Sequence, residues 1–260
     1  MQVKRWGQLD ALRQQLGESR WLLCVDLEAT CDDYPAGLDE AARNAHVLEV
    51  QRHDMETIQI GIALLDVQLE YRIVDHFGQF VRPLLRPKLT EFCTGLTGIS
   101  QSDVDTAERF SVVQDQLGDW LAPRDTEDWR WCSWGDYDRK QLKEDAVRAG
   151  VDVLLDPARH INLKKCFWKI FACRALGLKC AVESIGLSCG GQASQRHRRC
   201  AQSGTVSAVT AQREATDLIG RTALCLLIHA TPWPALLASS RHLTSTYGTH
   251  LDNTLKRFNA

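Results

Sequence analysis

The chain has 260 residues, 44% of them hydrophobic, enough to bury one sizeable core. Its 31 basic and 33 acidic side chains leave a formal charge of −2, which excludes a global field drawing it onto nucleic acid, so any nucleic-acid site must be local. With no secretory-type apolar opening and no run of about eighteen apolar residues, a cytoplasmic protein without membrane association is expected, its ten cysteines as reduced thiols.

Residues 5–20 read as a short polar helix, and residues 21–25 as a buried strand that delivers Asp26, Leu27 and Glu28 at its end. The polar stretch 31–53, with Asp32, Asp33, Pro35 and Gly37, predicts a loop holding a short helix around 41–49. Residues 58–65 give a second strand and 71–81 a third, closed by Pro83 and Pro87; the three form a meander, followed by a loop over 90–100. The spacing of Val104, Phe110, Val113, Leu117 and Leu121 predicts one helix over 102–121. A short aromatic strand at 129–134 and a helix over 138–150, stopped by Gly150, come next.

Residues 162–176 and 181–187 predict two further helices. Lys164, Lys165, Lys169, Arg174 and Lys179 in this region suit either a phosphate backbone or a solvated face. Cys166, Cys173 and Cys180 recur every seven residues. That interval stacks small apolar side chains on one helix face, whereas zinc sites use closer pairs. Strands with acids at their ends, then alternating helix and strand, imply an α/β domain with a mixed central sheet whose site lies at strand ends.

Residues i and i+2 of a strand share a face, so Asp26 and Glu28 stand side by side with Leu27 turned into the core. Hard divalent ions take such oxygen ligands, and two ions bridged by carboxylates can clamp the attacking and leaving oxygens of a phosphodiester. A lone Asp-x-Glu is more often a strand ending in solvated acids, so the motif needs company.

That company is present. Val25-Asp26-Leu27-Glu28-Ala29-Thr30-Cys31 resembles the first motif of DEDDh 3'-to-5' exonucleases, in the branch of the histone-mRNA and enhanced-RNAi 3' exonucleases. Met55-Glu56-Thr57-Ile58-Gln59-Ile60-Gly61 resembles that branch's second strand. Its substrate loop has a counterpart from Phe80-Val81-Arg82-Pro83 to Phe92-Cys93-Thr94-Gly95-Leu96-Thr97-Gly98-Ile99. Trp134-Gly135-Asp136-Tyr137-Asp138-Arg139-Lys140-Gln141-Leu142 resembles the second acidic motif, in a register that selects Asp138 as metal ligand with Asp136 as runner-up. His160-Ile161-Asn162-Leu163-Lys164 is similar to the lead into the family's next helix.

The resemblance implies an RNase H-like mixed sheet flanked by helices, with an exonuclease domain over residues 18–187. Asp26, Glu28 and Asp138 would be the catalytic, metal-binding carboxylates for two Mg²⁺ or Mn²⁺ ions. The backbone around Leu27, Ala29 and Thr30 would hold the terminal nucleotide, Phe92 and Tyr137 would stack on it, and Leu96 and Thr97 would wedge beside them. The implied partner is a single-stranded 3' end of RNA or short DNA, hydrolysed to nucleoside 5'-monophosphates.

The third motif, a histidine base and five residues later a fourth aspartate, is missing. His197 has Gln202 where the acid belongs, and residues 188–260 read as an atypical, loosely ordered tail. Residues 191–205 can be encoded by DNA that, read one base later, gives Gly-Lys-His-His-Ser-Ala-Thr-Asp-Asp-Ala-His-Asn-Leu-Ala-Arg, which resembles the missing motif; a frame shift just after Leu187 is therefore expected. The alternative is a catalytically impaired pseudo-exonuclease that still binds nucleic acid.

Overall fold

The structure, a computed structural model, describes residues 1–124 and 128–185. The tail and the expected third-motif region lie outside the described residues. A five-stranded mixed sheet runs in the order β3-β2-β1-β4-β5, formed by β1 (Trp21–Ala29), β2 (Thr57–Asp66), β3 (Arg72–Phe80), β4 (Trp129–Ser133) and β5 (His160–Asn162). β1, β2 and β3 are the expected antiparallel meander, while β4 runs parallel to β1 and β5 parallel to β4. The expected α/β class with a mixed, helix-flanked sheet is the one observed.

Helices cover both faces, because alternate residues of β1 feed different cores. Leu22 and Cys24 join Leu9, Leu12 and Leu16 of α1 (Trp6–Gly17) and Phe167, Ile170 and Phe171 of α7 (Leu163–Phe171). Leu23, Val25 and Leu27 join Val113, Leu117 and Leu121 of α5 (Phe110–Leu121) and Leu142 and Ala146 of α6 (Tyr137–Ala149). β2 is buried along its whole length, as its central place requires. No helix among the described residues is long and apolar enough to cross a membrane.

Several elements differ from the sequence expectations. The helix expected around 41–49 is α2 (Glu40–Ala45), started by the Asp39 carboxylate accepting from the Ala42 amide. The expected loop over 90–100 contains α3 (Glu91–Thr97), started by the Thr90 hydroxyl on the Cys93 amide and ended at Gly98. The helix expected over 102–121 is broken into α4 (Gln101–Asp105) and α5. Extended pairing causes the break: Val81 bridges to Glu108, whose carbonyl accepts from the Arg82 amide at 2.8 Å. Val104 accordingly packs with Ile58, Leu89, Cys93 and Ile99 rather than with the α5 core.

α7 stops at Phe171, where Ala172 takes φ +46°, short of the expected residue 176. α8 (Leu178–Ser184) then starts earlier than expected. Cys166, Cys173 and Cys180 therefore do not share one helix; all three pack against the same core.

α6 is tied to β2 by a buried carboxylate. Asp145 accepts from the Thr57 amide at 3.0 Å, the Thr57 hydroxyl at 2.6 Å and the Gln141 side chain at 3.0 Å, with Arg148 beside it. Thr57 pairs with Ala29, so this clamp fixes α6 against the end of β1. Asp145→Ala would strand a buried amide and is expected to cost about 1–3 kcal/mol, read as a lower Tm. Asp145→Asn, which can still accept from Thr57, should recover part of it. An unchanged melting curve for the alanine variant would refute the clamp.

Candidate active site

β1 carries two acids at its C-terminal end because Leu27 between them is an inward core residue, 6% exposed, while Asp26 and Glu28 point to the other face. Asp138 arrives from β4 through a tight turn. Gly135 sits there at φ +128°, a conformation that L side chains rarely adopt, and α6 begins at once with Tyr137. Asp138, in the first helical turn, is 7% exposed, and its carboxylate accepts from the Leu27 amide at 3.3 Å. That bond places the third acid beside the first two.

Asp136 behaves differently. It caps α6 without a side-chain bond to the helix and forms an ion pair with Arg139 at 3.3 Å. Of the two aspartates, only Asp138 faces β1.

The electrostatics follow from burial of like charges. Desolvation, then Asp138 and Glu28, raise the Asp26 pKa well above the ordinary carboxylate range. Desolvation, then the Cys93 sulfur and Asp138, raise Glu28 to about 7. Desolvation also raises Asp138, against lowering by hydrogen bonds from the backbone and Ser133. Among the described residues no Lys, Arg or His forms an ion pair with any of the three.

The three carboxylates are neighbours but not a closed coordination set: among the described residues no three His, Cys, Asp or Glu side chains are gathered so as to hold an ion by themselves. The tight convergence expected from the sequence is therefore not observed. Mutual repulsion, the same effect that raises Asp26, opposes closer approach. The donor set is nonetheless all hard oxygen and has no counter-charge among the described residues, which fits a divalent cation such as Mg²⁺ or Mn²⁺.

Phe92 (36% exposed) and Leu96 (49%), on the helix whose Cys93 acts on Glu28, and Tyr137 (39%), next to Asp138 in sequence, present apolar surface to solvent. Phe92 is thus not a core residue. The Tyr137 hydroxyl is pushed up by desolvation and then by Asp138, its neighbour in sequence. Other expected contact residues are tied into the scaffold. The Thr30 amide donates to the Glu56 carbonyl at 2.8 Å, its hydroxyl accepts from the Glu56 amide at 2.9 Å, and the Ala29 carbonyl accepts from the Cys93 thiol. The Thr97 hydroxyl donates to the Cys93 carbonyl at 2.8 Å. Ala29, Thr30 and Thr97 are thus held by scaffold hydrogen bonds, while Phe92, Leu96 and Tyr137 stay exposed.

Sequence reading missed the role of Cys93, whose pKa neighbouring Cys31 lowers to about 7 beside Glu28. It also missed Asp145, although a place seven residues after Asp138 puts it two helical turns along the same face.

Solved structures share this architecture. The nuclease domain of 3'hExo, described as a DEDDh family member bound to rAMP, superposes with a TM-score of 0.57 at 21% identity, covering 81% of this chain and 90% of that one. Cell-death related nuclease 4 gives 0.54 at 22% identity, covering 81% and 64%. Among curated relatives, 3'-5' exoribonuclease 1 of Mus musculus is 26% identical over 66% of this chain and 47% of its own length. ERI1 exoribonuclease 3 of Homo sapiens is 30% identical over 59% and 42%. The chain thus spans less than half the length of either curated relative. Residues 23–172 match the RNase_T exonuclease family model, and with more than half of its length inside that match the chain belongs to the RNase T exonuclease family.

Proposed function

We propose that this domain is a metal-dependent 3'-to-5' exonuclease acting on single-stranded RNA or short DNA and releasing nucleoside 5'-monophosphates. The observation that carries this is the cluster of Asp26, Glu28 and Asp138, desolvated and without a basic partner among the described residues, together with the exposed Phe92, Leu96 and Tyr137. Divalent ions held by Asp26, Glu28 and Asp138 would supply polarisation of the scissile phosphodiester and a more acidic attacking water.

The rest of the reading concerns this chain's own groups. Phe92 and Tyr137 offer ring faces on which a base stacks without regard to its identity, and Leu96 fills the space beside it. Asp138, held on the Leu27 amide, keeps α6 and β1 in register under the reacting phosphate. The Cys93 thiol, bonded to the Ala29 carbonyl, ties α3 to β1 so that rim and acids are positioned as one unit.

On the family resemblance the general base would come from the third motif, which residues 188–260 lack and a reading frame shifted after Leu187 would supply. A frame-restored chain is therefore expected to trim 3' ends at least about 10²-fold faster than this one, the usual worth of a positioned base.

In assays with 3'- and 5'-labelled oligonucleotides, the restored chain should shorten strands from the 3' end only when Mg²⁺ or Mn²⁺ is present. Asp26→Ala, Glu28→Ala and Asp138→Ala should each abolish this, while Asp136→Ala retains it. Cleavage in EDTA, or full activity of Asp138→Ala, would overturn the assignment. Phe92→Ala should weaken substrate binding by about 1–3 kcal/mol with little base preference, as expected for loss of one stacking surface; unchanged KM would remove Phe92 from the site.

Metal-free stability offers an independent check. Glu28 has a folded pKa of about 7, above its ordinary value of 4.5, so the folded state holds its proton longer than the unfolded chain does. Its contribution is most favourable below pH 4.5 and is lost as pH climbs toward 7. Glu28→Gln in EDTA should therefore lose less Tm between pH 5 and pH 8 than the unaltered chain. Adding Mn²⁺ at pH 8 should raise the Tm of the unaltered chain and not that of the variant. Identical pH profiles for the two proteins would contradict the placement of Glu28.

A further inference from the structure

α1, α7, the β5 edge and the start of α6 enclose a groove of about 530 Å³ lined by Asp136, Arg139, His160, Asn162, Lys165 and Lys169 among others. The volume exceeds what a single phosphate needs and suits an extended ligand. Its cations outnumber its one acid, Asp136, which is already paired with Arg139 at 3.3 Å. Lys165 and Lys169 lie one helical turn apart on α7, so both charges fall along one line of the groove. On a chain of formal charge −2, this concentration of positive charge is local.

The groove reaches the start of α6, the helix that carries Asp138. Asp26 and Glu28 share the sheet face of Cys24, the face that α1 and α7 cover. Asp136 and Arg139, at the groove's lip, flank Asp138 in sequence. A Cβ placed on Gly135 would meet the Lys164 stem at 3.9 Å, so a third lysine lies over the turn that delivers Asp138. Apart from His160 no aromatic ring lines the groove, so it offers charge and hydrogen bonds rather than stacking surfaces.

We propose that this groove, on the exonuclease reading of the site, is a track for the sugar-phosphate backbone of single-stranded nucleic acid upstream of the terminal nucleotide, with Lys165 and Lys169 as its main phosphate contacts. Stacking at Phe92 and Tyr137 grips the end of the strand. The groove grips its backbone, which favours strands of several nucleotides over dinucleotides and reads no sequence.

The test is fluorescence anisotropy of a 5'-fluorescein decauridylate on the full chain in Ca²⁺ buffer over a range of salt concentrations. Lys165→Gln/Lys169→Gln should weaken binding about tenfold and reduce the slope of log affinity against log salt by about 1.4, at 0.7 for each lost phosphate contact. Lys165→Arg/Lys169→Arg should restore both, and Lys143→Gln, which removes a charge from an exposed part of α6, should change neither. Circular dichroism melts establish that each variant is folded. Affinity and slope unchanged in the glutamine variant, or lost equally in Lys143→Gln, overturn the groove proposal and leave the nuclease reading standing. Failure of the unaltered chain to bind the decamer overturns both.

Discussion

The constraint on which the rest of the site depends is the burial of like charge at the end of β1. Asp26, Glu28 and Asp138 are each desolvated, and Asp26 and Glu28 feel the charge of their neighbours, so each is harder to ionise than a surface acid. A fold does not keep such a cluster for its own stability, because neutral residues of similar shape would pack there at lower cost. The surrounding architecture opposes the repulsion. Leu27 is sunk in the core between the two acids, its amide holds Asp138, and the Asp145 clamp pins α6 to β2 two turns further on.

The mixed topology explains why the acids meet there. β1 has an antiparallel neighbour, β2, on one side and a parallel neighbour, β4, on the other. The C-terminal ends of β1 and β4 therefore open toward the same edge, and a helix starting directly after β4 points its first turn at the last residues of β1. Antiparallel β2 returns its N-terminus to that edge, which brings Thr57 and Glu56 beneath the site. Glu56 in turn accepts from the amides of Leu84, Leu85 and Arg86 and fixes the bend after β3 from which the chain leads to α3.

Much of this was legible in the sequence, and what was not has a physical reason. The apolar runs of β1 and β2 announce themselves because both strands are buried, and Asp26 with Glu28 stand out against such a background. The choice of Asp138 over Asp136 rests on a resemblance in register; in the structure Asp138 accepts from the Leu27 amide and Asp136 pairs with Arg139. The stretch 90–100 resisted reading because α3 is short and its signals are a threonine cap and a glycine stop rather than a long apolar period. The single helix expected over 102–121 failed because periodicity cannot register a backbone bridge such as Val81 to Glu108. β5, three residues long, falls below any periodic signal.

The cysteines carry the same lesson into the site. A seven-residue repeat suggested one helix face for Cys166, Cys173 and Cys180, yet Ala172 in a left-handed conformation ends α7 between the first two, and they share a core rather than a helix. Cys31 and Cys93, 62 residues apart in sequence, were read only as parts of two separate motifs, yet they shift each other's pKa beside Glu28. The Cys93 sulfur also reaches the Ala29 carbonyl, so one small side chain joins the strand that carries the acids to the helix that carries Phe92 and Leu96. A serine there would offer a stronger donor but bring a more polar atom into the cluster of Ile58, Leu89, Ile99 and Val104. Cysteine meets both demands, packing as a small apolar group while still donating weakly to the carbonyl.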